Sequence, residues 1–173
     1  MSKRKLLAAV LVAAFVLPWA GVAQAYEEQF EVHPRSAIVE RGKPVCKDRL
    51  ALWLKQAGFR GKNLKVAWAV AMRESNGQPG ESTWPDLGLF QLNSPSWQGS
   101  KYWPANVYDP IQNARAVKRM VKDMNWQPWG MRVSKGRVSY DYSSYGGWSQ
   151  WQRYNWIVAP YERYAAQFPR RCG

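Results

Sequence analysis

Between Leu64 and Ser75 the chain is apolar on nearly every side, with Leu64, Val66, Ala67, Trp68, Val70, Ala71 and Met72 crowded into one helical stretch. A helix without a polar face has nowhere to sit on a surface, so this segment must lie at the centre of a fold that packs around it. The neighbouring segments suit that role. Leu50, Trp53, Leu54 and Ala57 fall at helical spacing between Cys46 and Ala57, with Gly58 as a stop, which predicts a surface helix with one buried stripe. Asp109-Pro110 is a helix start, Asp capping orphan amides and Pro occupying the first position, where its missing N–H is not needed. The helix it opens runs to about Met124. Its stripe of Ile111, Ala114, Val117, Val121 and Met124 faces inward, and Arg115, Lys118, Arg119 and Lys122 face solvent. Beyond Trp126 only Trp151 to Gln167 reads as helical, started or kinked by Pro160.

The first 25 residues read as an export signal. Lys3, Arg4 and Lys5 precede an apolar run from Leu6 to Leu17, and Ala23-Gln24-Ala25 gives the small-x-small pattern of a cleavage site. No second apolar run is long enough to span a bilayer, so no stable membrane insertion is expected after cleavage near Ala25. Residues 26–44 show no sustained period and read as an extended arm, with the domain proper spanning 45–173. Cys46 and Cys172 are the only cysteines, and an oxidising compartment would let them join. On the chain-entropy model such a bridge adds about 4 to 5 kcal/mol by restricting the unfolded state.

Composition narrows the chemistry. The 173 residues hold one histidine, His33, which removes Ser-His-Asp hydrolases, Cys-His peptidases and multi-His zinc sites unless His33 alone serves. No metal and no cofactor is expected. Any catalysis must then run on carboxylates, and most of the 12 acidic residues have ordinary places: Asp109 caps a helix, and Asp48, Asp123 and Glu162 sit on amphipathic helices.

Glu74 does not. It ends the apolar helix, and the residues three, four and seven before it are Ala71, Val70 and Ala67, so its side chain is expected on their buried stripe. Desolvation and the negative end of the helix dipole would both favour the protonated acid there. A carboxylic acid that holds its proton near neutral pH can give it to a leaving oxygen, as cleavage of a glycosidic bond requires. The plainer reading is a Glu that pairs with Arg73 or caps a neighbouring amide. Glu81 to Ser94 alternates polar and apolar residues around Gly88, as a short half-buried strand or hairpin would, and it brings Asp86 back toward the end of that helix.

Taken together, Cys46 to Leu52, Gly61, Leu64, Ala71-Met-Arg-Glu74-Ser75-Asn76, Ser82-Thr83, Asp86-Leu-Gly-Leu-Phe-Gln91-Leu-Asn93-Ser94 and Trp97 resemble the lysozyme-like superfamily, most closely c-type lysozymes and lytic transglycosylases. Asn113-Ala114, Trp126 to Trp129 and the position of Cys172 extend the match. The resemblance implies a mainly α (α+β) domain with a small β hairpin beside the active-site cleft. It implies cleavage of the β-1,4 bond between N-acetylmuramic acid and N-acetylglucosamine in peptidoglycan.

Glu74 matches the general acid of these enzymes. Asp86 matches the nucleophile or charge-stabilising residue of c-type lysozymes, a division of labour for which lysozyme is the type case. Gln91 and Asn93 match positions lining the cleft. Trp126 resembles the aromatic residue that packs on the acid, with Trp148 as a second candidate. Three features depart from c-type lysozymes: a single possible disulfide, a shorter stretch between acid and aspartate, and a poorly fitting tail from Gly130 to Phe168. Lytic transglycosylases often lack such an aspartate and use one Glu as acid and then base, so both reactions stay open.

The 11 Trp residues and the net charge of +13 bear on partners. Exposed indoles stack on sugar faces, so Trp84, Trp97, Trp103, Trp126 and Trp129 could line a saccharide groove. Strong positive charge would hold the secreted or periplasmic protein near anionic cell-wall polymers, its glycan-strand substrate among them. A nucleic-acid partner is not expected, because no clustered basic run, RNA-binding motif or zinc spacing accompanies the charge. A cell-wall lectin that kept the fold and lost catalysis is the other reading.

Overall fold

Asp48 opens the first helix by accepting the Ala51 amide at 2.7 Å, and the same carboxylate oxygen accepts the Trp68 indole N–H at 3.0 Å. Its place is thus a cap that also ties two helices together. The computed structural model describes residues 46–173; the expected export signal (1–25) and extended arm (26–44) lie outside the described residues. Helix α1 is Arg49–Gln56 and α2 is Gly61–Ser75. The apolar pattern places the start of α2 at Leu64, where burial begins, but Gly61, Lys62 and Asn63 form an exposed first turn with no apolar signal to mark it. From Val66 to Ala71 every residue but Trp68 is fully buried, as a helix without a polar face requires.

Three two-residue strands follow, β1 (Ser82–Thr83), β2 (Asp86–Leu87) and β3 (Leu92–Asn93), in one antiparallel sheet of order β1-β2-β3. Asp86 pairs with Thr83 on one side and with Asn93 on the other. The short helix α3 (Ser94–Trp97) leaves the sheet with Asn93 as its cap. Helix α4 is Pro110–Met124, capped by Asp109 through the Ile111 and Gln112 amides, as the Asp-Pro signal predicts.

A second hairpin, β4 (Met131–Ser134) and β5 (Arg137–Tyr140), pairs across Lys135-Gly136. Both turn residues have positive φ, 45° and 71°, the conformation a two-residue hairpin favours. The sequence pattern did not predict it. The expected helix from Trp151 to Gln167 is three pieces: α5 (Gln150–Arg153), a π-helical turn (Tyr154–Val158) and α6 (Ala159–Gln167). Pro160 cannot donate to the carbonyl four residues before it, and the widened turn immediately precedes it.

Helix α2 packs between α1 and α6, so the element read as central is central. Cys46 and Cys172 form a disulfide that closes a 126-residue separation. The observed architecture is mainly α with a small antiparallel sheet, as expected. No helix among the described residues is long and apolar enough to cross a membrane.

Candidate active site

The end of α2 is fastened to the small sheet by Ser75. Its hydroxyl is buried, 2.7 Å from the Leu89 carbonyl and 3.0 Å from that of Ala71, so the residue after Glu74 holds the β2–β3 loop against the helix end. Asn76 ends the helix in the left-handed conformation (φ 52°) and turns the chain back toward the sheet.

The loop itself is anchored from below. Leu89 and Phe90 are fully buried, and buried Asn113 of α4 accepts the Phe90 amide at 3.2 Å while donating to the Val107 carbonyl at 2.8 Å. Gly88 has φ 74°, and a Cβ there would stand 2.2 Å from the Val107 carbonyl oxygen and 2.6 Å from Asn113 Nδ2. Only glycine meets both demands. Thus Asn113, read in the sequence only as part of a match, is the post on which the loop rests.

Glu74, Asp86, Gln91, Leu92, Asn93, Trp97, Pro128, Trp129 and Tyr145 surround one cleft of about 230 Å³. Six of them, Glu74, Asp86, Gln91, Asn93, Trp97 and Trp129, are residues the sequence singled out. Asn93 Nδ2 donates to Asp86 Oδ1 at 2.9 Å, fixing the carboxylate across the β2–β3 pair. Both protons of the Gln91 amide go to backbone carbonyls, those of Gly88 (2.9 Å) and Glu81 (3.2 Å), which leaves its carbonyl oxygen for a ligand. Trp97 meets Tyr102 edge-on, and Trp129 is nearly buried, with its indole N–H 3.3 Å from the Phe90 carbonyl.

Glu74 is not in the dry apolar shell that helical spacing suggested. Its side chain is 24% exposed and its carboxylate oxygen Oε1 accepts two hydrogen bonds from Arg73, one from Nε at 2.8 Å and one from Nη2. Arg73, only 8% exposed, also donates from Nη1 to the Trp129 carbonyl at 3.3 Å. At the helix end the acid lines the cleft, and the pairing with Arg73 weighed as the plainer reading is the one that forms.

Trp126 requires a correction. It is fully buried, stacked on Phe59 with ring centroids 5.8 Å apart and edge-on to Trp129 at 5.7 Å, and its N–H goes to Asn63. It belongs to the core and does not line the cleft. Trp148 does not line it either, although its ring lies 4.9 Å from that of Tyr145. Trp84 projects into solvent and Trp103 packs on the core, both outside the cleft.

Sequence reasoning missed Tyr145. A 3₁₀ turn, Ser143–Tyr145, delivers it to the cleft, where its hydroxyl donates to the Pro128 carbonyl at 2.8 Å. Burial pushes its phenol above the ordinary value; Arg73 opposes this, and the charges of Glu74 and Asp86 reinforce it. The one local signal was Asp141 two residues before Ser143, since its carboxylate accepts the Ser143 amide (3.1 Å) and hydroxyl (2.6 Å) in an Asx-type turn. Among the described residues no three His, Cys, Asp or Glu gather as metal ligands would.

A cleft with two carboxylates, amide groups and aromatic walls can bind a sugar chain, protonate a leaving oxygen and stabilise positive charge. Comparison with known proteins agrees with the resemblance: residues 51–131 match a family model described as a lysozyme-like domain. No curated protein and no solved structure matches.

Proposed function

We propose that this chain, whose residues 51–131 match a lysozyme-like domain model, is a secreted peptidoglycan glycosidase acting on the β-1,4 bond between N-acetylmuramic acid and N-acetylglucosamine. Glu74 protonates the glycosidic oxygen. Asp86 supports the positive charge that develops at the sugar, held in place by Asn93. The observation that carries this reading is that the two carboxylates, Gln91, Asn93, Trp97 and Trp129 line a single cleft.

Arg73 shapes how Glu74 works. To act as acid, the Glu74 carboxyl must leave the guanidinium and hold a proton when the glycan arrives and excludes water. Arg73 keeps a second partner, the Trp129 carbonyl, when that happens. A saccharide stacked at Trp97 would place its ring beside both acids, with Trp129 as part of the cleft's buried floor.

Whether water or the muramyl 6-hydroxyl completes the reaction depends on Asp86. Retaining glycosidases place their carboxyl groups about 5 to 5.5 Å apart, and inverting ones leave room for a water. The test is digestion of purified peptidoglycan followed by mass spectrometry. Reducing ends are expected; 1,6-anhydro ends would replace hydrolysis by transglycosylation with Glu74 alone, and no released fragments at all would leave a glycan-binding protein.

A further inference from the structure

The tail that fits the lysozyme-like pattern poorly carries a second depression, about 510 Å³ in volume. Trp151 and Tyr154 line it, 67% and 56% exposed, together with the amide side chains of Gln150 and Asn155. An exposed indole and phenol lining one depression present flat apolar faces to a ligand. Polar side chains rim the two rings. The Gln150 amide makes no hydrogen bond among the described residues, and Asn155 spends only its Nδ2, on the Trp151 carbonyl at 2.9 Å. Arg153, which also lines the groove, has a buried Nε–H with no acceptor among the described residues.

One short turn links the wall of this groove to the wall of the cleft. Tyr142 lines the groove and Tyr145 lines the cleft, at either end of one short turn. Arg153 crosses between them: its guanidinium lies over the Tyr142 ring, 5.2 Å from the centroid, and donates to the Tyr145 carbonyl at 3.3 Å. The groove residues sit where α5 passes into the π-helical turn, a deformation that recurs at functional sites.

The geometry points to an accessory glycan-binding site in which Trp151 and Tyr154 stack on a pyranose of the strand held in the catalytic cleft, beyond the bond being cut. Flat apolar rings match sugar faces, and amides with a guanidinium match hydroxyl, acetamido and carboxylate groups. The turn shared with the cleft wall favours a glycan strand over a lipid surface, as does a polar rim of amides rather than of clustered lysines. This inference rests on the peptidoglycan reading above.

The test uses the full chain carrying Glu74→Gln, which cannot consume its ligand, sedimented with purified peptidoglycan sacculi. Trp151→Ala and, separately, Tyr154→Ala are added to it, with Trp84→Ala as an exposed indole in neither depression. Each groove substitution is expected to weaken sedimentation by about tenfold, on the scale of a lost aromatic anchor, and Trp84→Ala to leave it unchanged. With Glu74 intact, the loss of rate on sacculi should exceed the loss on a soluble tetrasaccharide by a similar factor. Sacculus binding equal to that of the parent in both groove variants overturns the accessory site while leaving the catalytic reading in place. So does a loss confined to phosphatidylglycerol vesicles, which would make the surface a lipid contact. A parent that neither binds nor, with Glu74 restored, cleaves sacculi overturns both.

Discussion

Arg73 and Glu74, adjacent in the chain, face each other at the end of α2, and the guanidinium gives the carboxylate oxygen Oε1 two hydrogen bonds, one of 2.8 Å from Nε. The acid therefore rests against a cation that is itself anchored on Trp129. Glu74→Gln keeps an acceptor for Arg73 and removes only the transferable proton and the charge. Its stability should stay within about 1 kcal/mol of wild type, while turnover of peptidoglycan falls roughly 10²- to 10⁴-fold, the usual contribution of a general acid. Thermal unfolding beside a turbidity assay checks both; retained turnover would remove Glu74 from the reaction.

Asp86 and Asn93 are predicted to fail together or to be dispensable together. Asn93 Nδ2 is the group that orients the Asp86 carboxylate across β2 and β3. If the enzyme is a hydrolase, Asp86→Asn lowers kcat by roughly 10²-fold or more, as loss of a preorganised charge stabiliser does. Asn93→Ala then lowers it by about a tenth of that effect, through misplacement. Wild-type rates in both variants, with 1,6-anhydro products, would show that the carboxylate takes no part.

What the residues revealed beforehand follows from the range of the interactions involved. The central helix, the Asp109-Pro110 start and the cysteine pair are legible because periodicity, capping and cysteine count are local or binary signals. The sheet was legible as alternation between Glu81 and Ser94, and the Gly88-to-Asn93 residues of the site lie within that window. The partner of Glu74 was not settled by spacing, because a side chain at a helix end can swing out of the stripe its Cα belongs to. Trp126 and Trp129 look alike in sequence and both are buried; packing on Phe59 and the Asn63 acceptor hold Trp126 away from the cleft, while Trp129 lies against it. Tyr145 enters the cleft from a segment without periodicity, on a turn set by Asp141, so no pattern announced it.

Gly88→Ala should be among the most damaging single-methyl additions in the domain. The added Cβ would meet a backbone oxygen, that of Val107, at 2.2 Å, and a backbone with φ 74° resists any L side chain. Neither Val107 nor Asn113 can give way without releasing the Phe90 loop. A loss of about 3 kcal/mol or more is expected, read as a lower urea midpoint. A midpoint unchanged from wild type would mean that the loop does not rest on Asn113.

The turn that carries Tyr145 should give the protein an acid-sensitive edge. The Ser143 hydroxyl and amide, then Arg132, hold the Asp141 carboxyl below its ordinary 3.8, and the Asp141 amide is tied to the Gly130 carbonyl at 2.9 Å. A carboxyl depressed in the folded state contributes stability that is fully present above its unfolded value and is lost as pH falls from there through the folded value. The contribution of Asp141 should thus be intact at pH 5 and fade below about pH 3.8. In Asp141→Asn the acid limb of the stability curve should be shallower, and protection of the Ser143 amide from hydrogen exchange should already be reduced at pH 5. Tyr145 would then be less firmly held beside Glu74 and Asp86, so kcat should fall at neutral pH, with Tyr145→Phe reproducing the part that depends on its bond to Pro128. Superimposable acid limbs for wild type and Asp141→Asn would show that Asp141 does not secure the turn.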